Sequence, residues 1–551
     1  MTLYESSKLQ IVTALEDLPT RIHFSFDLWT STNHRALLGI VAHWVSLEAV
    51  LKNTVLGLRR FRGRHTGENQ AESFWAIAQE FKIEGNIGYF TLDNATNNDT
   101  AMRCIAAKLQ AMGIQFDPIK RRLRCLGHII NLVVKAFLWG DDPETFERET
   151  DTLRSMDDEE AELQLWRKQG PLGKLHNIIV WIGRSPQRRD KFEDKVRQLH
   201  PESTSAALVH GNETRWGGDY DELVRALLHR EALEEFVSTA IRHNLHGERD
   251  SLPNALKHDE LSPEDWVILT EIMQFLQPFR KWQLMLQGYQ TQGALYDVLP
   301  AMDELLVHME DRKAAYTALQ SDEVTRHMIT SINNAWVLLD KYYNKVDETP
   351  VYYSAIALQP EMKLQWFREE WQDRPSWIEG AETAVRHHWA TEFQLKGTPL
   401  RSAGAGQSTP TITVTDDTNI VPNWKSKKRQ RQAADSVDQF ERFQEWNAED
   451  DLPSGALQYW VDRLNDPRQS LVAHMGVELM SIPVMSDEPE RLFSSAKLLI
   501  TDRRNRLGDD IIQASECLKS WVQQGLVFGA SESDIVRMEQ MLKDLASRSA
   551  E

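Results

Sequence analysis

Three runs of strand character, FSFDLWTS, ALLGIVAHWVS and KNTVLGLRRF, crowd into residues 24–61 with only short polar connections between them. Runs this close in sequence predict an antiparallel meander, and so a sheet nucleus near the N-terminus. The first of them carries the sharpest constraint. In RIHFSFDLWTST, residues 21–32, Asp27 sits in a run of apolar, aromatic and β-branched residues. A lone carboxylate inside such a strand costs several kcal/mol unless something pairs with it. Whatever compensates Asp27 is therefore tied to what the protein does.

The first twenty residues predict a short helix that ends before Pro19. Thr66 is placed to start a helix, TGENQAESFWAIAQEF, with Phe74, Ile77, Ala78 and Phe81 on one face. GNIGYFTLDNATNN predicts a fourth strand that runs into Asp93 and a polar turn. NDTAMRCIAAKLQAMG is helical, and KRRLRCLGHIINLVVKAFLW reads as a short strand leading into an apolar helix. A crossover helix lets the fourth strand lie parallel to an earlier one, which makes residues 21–140 an α/β unit. From about 141 to 395 the pattern is nearly all helical with no fixed repeat period, so a large helical insertion is expected rather than a solenoid. Residues 396–435, rich in Gly, Ser, Thr, Pro and charge, read as a flexible linker. Residues 436–530 are helical again, and 531–551 form a frayed acidic tail.

A chain of 551 residues is expected to form about three structural units. No 18-residue apolar run and no basic-then-apolar leader appears, so neither a membrane span nor secretion is expected. Cys104, Cys125 and Cys517 are far apart and odd in number, which points away from a disulfide framework and toward cytosol or nucleus. The formal net charge of -19 excludes a chain that coats nucleic acid by bulk attraction, so any DNA contact must be local. Basic clusters at 59–65, 120–124, 425–431 and 502–506 each read either as phosphate contacts or as solvated faces. The third, KSKKRQR, reads as a nuclear-import signal or a plain solvated tail.

If the first and fourth strands are neighbours, Asp27 and Asp93 can face one edge of the sheet, where paired carboxylates repel and a divalent cation resolves the conflict. Hard oxygen ligands suit Mg²⁺ or Mn²⁺, and two such ions support phosphodiester chemistry. The alternative for Asp93 is a turn residue, since DNATNN is also the composition of a helix cap. A third carboxylate is sought in SIPVMSDEPERLFSSAKLLI. There Asp487 is the expected N-cap, with Glu490 at the third helical position completing a capping box. Leu492, Phe493, Ala496, Leu499 and Ile500 would form the buried face, leaving Glu490, Ser494 and Lys497 as a polar stripe beside a cleft.

FDLWTS with Asp27, TLDNATNN with Asp93, RCLGHIINL, ETRWGGDYDELVRAL and MSDEPERLFSSAKLLITDRRNRL stand in the order and character of the hAT transposase superfamily, and the chain resembles its fungal branch. The resemblance implies a fold of α/β plus α class: an RNase H-like mixed sheet, interrupted by the all-helical insertion, with a helical C-terminal dimerisation region at 436–530. By position Asp27, Asp93 and Glu490 match the family's acidic triad, which would hold two Mg²⁺ or Mn²⁺ ions, with Glu488 the alternative to Glu490. Cys125 and His128 match a Cys-x-x-His element. One such pair does not support a structural zinc, which leaves His128 as a DNA contact or a helix-start histidine. Arg215 and Trp216 match an Arg-Trp pair in the insertion, where the tryptophan would stack on a base or pack in the core. Trp29 would line the site or pack under it, and Arg503 and Arg504 would neutralise phosphate charge.

The activity implied is metal-dependent cleavage at transposon ends followed by strand transfer into target DNA, by a homodimer or higher oligomer in the nucleus. Family members usually begin with a BED-type zinc finger, and only 26 residues precede Asp27. An N-terminally truncated transposase is therefore expected, the finger missing by truncation, gene-model error or decay. The alternative is a catalytically inactive or domesticated derivative that retains dimerisation.

Overall fold

The structure is a computed structural model that describes residues 2–527 apart from 17, 32–34, 47, 49, 141–158, 204, 210–215, 246–253, 288–293, 320–322, 395–437, 446–454 and 501–507. The linker expected at 396–435, its basic KSKKRQR end, the tail, and Arg503 and Arg504 lie outside the described residues. The chain divides into two compact units, one comprising Met1–Cys125, Gly293–Leu299 and Val346–Glu551, the other Leu126–Gln292 and Pro300–Lys345.

The first unit is built on one mixed sheet of five strands, β1 (Ile22–Thr30), β2 (Ala36–Val45), β3 (Leu51–Arg60), β4 (Ile87–Leu92) and β5 (Arg122–Arg124), in the order β3-β2-β1-β4-β5. The first three strands form the expected antiparallel meander, while β4 runs parallel to both β1 and β5. Helix α1 (Thr2–Glu16) precedes the sheet, and α2 (Gly67–Phe81) and α3 (Thr96–Ala111) flank β4 in the chain. Thr66 caps α2, its hydroxyl accepting from the backbone N–H of Asn69. The apolar face read from the sequence is the buried one: Phe74, Ile77, Ala78 and Phe81 are all enclosed. Phe24, Phe26 and Phe90 converge on Phe74, with ring centroids 5.0–6.1 Å apart, and form the core on one side of the sheet.

The C-terminal helices α5 (Ser470–Met480), α6 (Asp487–Leu499) and α7 (Asp509–Gln523) belong to this same unit, and α6 and α7 share its hydrophobic core. Helix α7 covers the edge strand β3. There the Trp521 indole donates to the Val55 carbonyl at 2.8 Å, and the Ser520 hydroxyl accepts from the Val55 N–H at 3.0 Å. Both Val55 groups face outward beside a register shift in the β2–β3 pairing, so α7 satisfies backbone that the ladder leaves open. Aromatic side chains of the helices between 439 and 480 pack within the chain. Phe443 and Trp460 meet edge-on at 4.7 Å, the Trp460 indole donates to the Leu358 carbonyl at 2.7 Å, and Gly476 leaves room for the Trp460 ring.

The second unit is helical, as expected for the insertion. Helix α4 (Leu126–Trp139) packs against the helices Pro263–Leu286 and Glu323–Tyr343, with the Phe137 and Phe275 rings stacked at 4.1 Å. Arg167 grips the buried Asp259 through both guanidinium arms, at 2.7 and 2.8 Å. Among the described residues no helix is long and apolar enough to cross a membrane.

Candidate active site

Alternation along β1 sends Phe24 and Phe26 into the phenylalanine core and His23, Ser25 and Asp27 to the opposite face. On β4, Phe90 joins that core while Tyr89 and Thr91 face the other way, with Asp93 next in the same row beyond the strand end. Two carboxylates thus share a sheet face on adjacent parallel strands. Burial, and next the charge of Asp93, push the Asp27 carboxyl up to about 7 from an ordinary value of 3.8; the Leu28 N–H, donating to Asp27 Oδ1 at 2.7 Å, opposes the shift only in part.

Asp93 takes the turn role that its sequence allowed while standing on the face of Asp27. Its Oδ1 accepts from the Ala95 N–H at 3.1 Å and from the Asn98 side chain, an Asx turn that opens α3. Its carbonyl accepts from Arg122, which also pairs with Asp99 of α3. Neither Asp27 Oδ2 nor Asp93 Oδ2 makes a hydrogen bond among the described residues. Each carboxylate therefore keeps one oxygen for a further ligand.

Helix α6 lies on this face. Asp27 pairs in register with Gly39 of β2, and a Cβ on Gly39 would stand 2.9 Å from Leu492 Cδ2 and 3.0 Å from the Phe493 ring. Trp29, partly buried, stacks on Phe493 with centroids 5.7 Å apart, a packing contact on the face of Asp27. Leu492, Phe493, Ala496 and Ile500 are buried and Ser494 and Lys497 exposed, as the sequence reading expects, while Leu499 is only partly buried. The helix begins one residue earlier than expected. Ser486 is the N-cap and makes no side-chain cap, Asp487 is the first helical residue, and no capping box forms around Glu490. Glu490 is half-buried on the first turns of α6, and Glu488 is engaged by Arg491 one turn on. Among the described residues no three His, Cys, Asp or Glu side chains are gathered closely enough to hold a metal ion. The structure thus brings Asp27 and Asp93 together and lays the helix of Glu490 over their face without closing a three-carboxylate cluster.

Upstream, the same face carries a buried polar row. The Tyr89 N–H donates to His23 Nδ1 at 3.1 Å, which puts the histidine's proton on Nε2, toward Ser481 Oγ at 3.1 Å. The Thr91 hydroxyl donates to the Pro483 carbonyl at 2.5 Å, and Cys125 Sγ accepts from the Ser486 N–H at 3.2 Å. These bonds fix the 481–486 segment that delivers α6. Sequence reading missed His23, Thr91 and Gly39 as positioning residues; the only local signal was polar residues alternating with phenylalanine on β1.

The remaining expected residues belong to the helical unit or lie outside the described residues. His128 lies in the first turn of α4, in the helical unit. Arg215 lies outside the described residues, and Trp216 is described only as the first residue of the helix Trp216–Leu228. A cavity of about 590 Å³ lined by Ile179, Ile182 and Phe192 belongs to the helical unit and holds none of the three carboxylates.

Three family models match successive parts of the chain: the ZBED1 RNase-like domain over residues 25–116, the ZBED1 RNase-like helical domain over 123–275, and the hAT family C-terminal dimerisation region over 437–522. Among similar proteins, an AC transposase of Zea mays is 22% identical across 95% of this chain and 59% of its own length. The transcriptional regulator tpeD of Talaromyces stipitatus is 22% identical across 88% of this chain and 52% of its own length. The BED-finger protein RICESLEEPER 2 of Oryza sativa is 20% identical across 95% of this chain and 68% of its own length. The chain therefore spans between half and two thirds of the first two of these relatives. With the RNase-like sheet, its helical domain and the C-terminal dimerisation region following one another in order, the chain belongs to the hAT family.

Proposed function

We propose that the protein is a DNA transposase of the hAT type, acting by metal-dependent phosphodiester cleavage and strand transfer at transposon ends. The observation that carries this reading is the Asp27–Asp93 pair: two carboxylates on adjacent parallel strands, one of them held partly protonated by burial and by the other's charge. Such a pair is under-compensated without a cation. Hard oxygen donors, each with one oxygen uncommitted among the described residues, fit Mg²⁺ or Mn²⁺. The bound ions would supply a water or hydroxyl nucleophile at neutral pH and stabilise the leaving oxygen. Asp27 and Asp93 would hold the cations from the sheet and Glu490 would supply the third carboxylate from α6, whose entering segment is fixed by the His23–Ser481 and Thr91–Pro483 bonds. Acting on DNA, the protein works in the nucleus, to which the basic 425–431 segment directs it, and pairs two transposon ends as an oligomer.

A nicking assay on DNA carrying the element's terminal sequence, with Mg²⁺ or Mn²⁺, tests the reading. Activity should vanish in Asp27→Asn and in Asp93→Asn and fall steeply in Glu490→Gln. Activity that persists in Asp27→Asn overturns it.

A second reading, a non-catalytic hAT-derived protein, is favoured by the absence of a ready three-carboxylate cluster among the described residues and by the likeness to a transcriptional regulator. No cleavage under either metal, together with oligomerisation and DNA binding, would select it.

A further inference from the structure

The basic run at the end of β3 divides by alternation. Arg59 pairs with Glu80 on α2. Arg60 faces the other way: it is in register with Leu37, which pairs with Trp29 of β1. The rows Asp27–Gly39–Leu58 and Trp29–Leu37–Arg60 are successive rows of one face, so Arg60 stands on the face of the carboxylates, toward the C-terminal end of β1. Two strand spacings of ~4.8 Å and one same-face step of ~6.7 Å put its Cα roughly 12 Å from that of Asp27. At ~3.4 Å per nucleotide this is about three to four steps of a DNA strand.

Arg60 and Arg62 converge on one carboxylate oxygen, Asp509 Oδ2, at 3.4 and 4.0 Å, and Arg35 approaches Oδ1 at 3.5 Å. These distances are far looser than the 2.7–2.9 Å of a well-made charge-assisted bond. The side chain of Arg62 is 80% exposed, and that of Arg64 makes no ion pair among the described residues. One acid on the first residue of α7 thus meets Arg60 and Arg62 only at long range. Their backbone, by contrast, is fixed. Phe61 is buried against His65, Gly63 turns the chain at φ 95°, Asn69 donates to the Arg64 carbonyl at 2.9 Å and Asn97 to that of His65 at 2.8 Å. In a chain of net charge -19, a rigidly mounted arginine row beside a carboxylate site needs a strongly anionic occupant.

We propose that Arg60, Arg62 and Arg64, with Arg35, form a docking row for the sugar-phosphate backbone of DNA, and that Asp509 occupies it as an intramolecular phosphate surrogate that incoming DNA displaces. Ion pairs this long, one of them on the largely exposed Arg62, are weak, so displacement is easy. The inference rests on the nucleic-acid reading above and adds which residues take the backbone and what blocks them.

The test is fluorescence anisotropy of a labelled duplex of arbitrary sequence with the full chain, carrying Asp27→Asn throughout and free of divalent ions, over a salt series. Asp509→Asn should tighten binding several-fold. Arg60→Gln with Arg62→Gln should weaken it about tenfold or more and flatten the slope of log affinity against log salt by about 1.8, two phosphate contacts at ~0.9 each. If Asp509→Asn melts early, the arginine pair, exposed at the surface, decides alone. Duplex binding that ignores both changes overturns the docking row and leaves the transposase reading intact. Absence of binding in the parent overturns both.

Discussion

Asp93 shares a sheet face with Asp27, and its charge adds to burial in holding a proton on Asp27 up to about pH 7. The unfolded chain releases that proton near pH 4. Between those values the native state binds more protons than the unfolded one, so without metal the contribution of Asp27 to stability declines as pH rises through the window. Asp27→Asn is uncharged at every pH. It should stabilise the metal-free protein on the order of 2–4 kcal/mol at pH 8 and hardly at all below pH 4. Urea unfolding in chelator at the two pH values checks this; a gain that does not change with pH would count against it.

A divalent cation should reverse the sign. Bound between Asp27 and Asp93 it favours the ionised pair, so Mn²⁺ should raise the melting temperature of the wild type at pH 8 more than at pH 5.5. At a hundredfold excess over its dissociation constant the gain is about 2.7 kcal/mol. Asp27→Asn and Asp93→Asn should each abolish it. An equal shift in Asp27→Asn would place the cation elsewhere.

Much of this fold was legible in the sequence because its signals are local. The meander follows from three strand-period runs in close succession, the crossover from the capped helix after Thr66, and the Asp27–Asp93 pair from one acid inside the first apolar strand and another at the end of the fourth. The stripe on α6 was legible too, but not what it packs against. Leu492 and Phe493 fill the space left by Gly39, a complementarity between segments far apart in the chain that neither declares. The N-cap of α6 was misplaced by one residue for a related reason. Asp487 and Glu490 have capping-box composition, yet the Cys125–Ser486 bond and the Thr91–Pro483 bond set where the helix enters. Tertiary anchors overrode a local preference.

Gly39 makes that complementarity testable. A methyl group there meets Leu492 and Phe493 at or below 3.0 Å, so Gly39→Ala should destabilise by about 1–3 kcal/mol. It should also lift α6 from the sheet beside Asp27. Since a displacement near 1 Å can reduce turnover ~100-fold, nicking should fall steeply at a temperature where melting curves show the variant fully folded, while duplex affinity stays within about twofold. Parallel loss of both would mean that α6 does not position the site.

The C-terminal helices complete the sheet unit rather than standing apart from it. Trp521 is fully enclosed, stacked on Tyr4 at 5.3 Å and bonded to the Val55 carbonyl. Trp521→Ala should cost about 3–5 kcal/mol. Residues 430–530 expressed alone, deprived of β3 and Gly39, should lack cooperative unfolding, and adding residues 1–125 with 346–394 in trans should restore it. A fragment that folds cooperatively by itself would show the dimerisation region to be an independent module.

His23 sets an acid limit on the arrangement. It is fully enclosed, and burial together with the charges of Arg21 and Arg121 holds it well below its ordinary 6.5. Protonation would also require Nδ1 to give up the Tyr89 N–H, and the ring packs so close to the backbone at Gly88 that a Cβ there would stand 2.5 Å from that nitrogen. The unfolded chain takes up a proton below pH 6.5 and the native state does not, so the stability contributed above that pH is lost as pH falls. His23→Gln keeps a donor and an acceptor but cannot titrate. It should be less stable than the wild type at pH 7.5, yet lose less stability between pH 7 and pH 5. Hydrogen exchange at the Tyr89 amide gives the local readout: in the wild type its protection should drop over that interval before the phenylalanine core loosens. Unchanged protection down to pH 5 would free α6 from any dependence on His23.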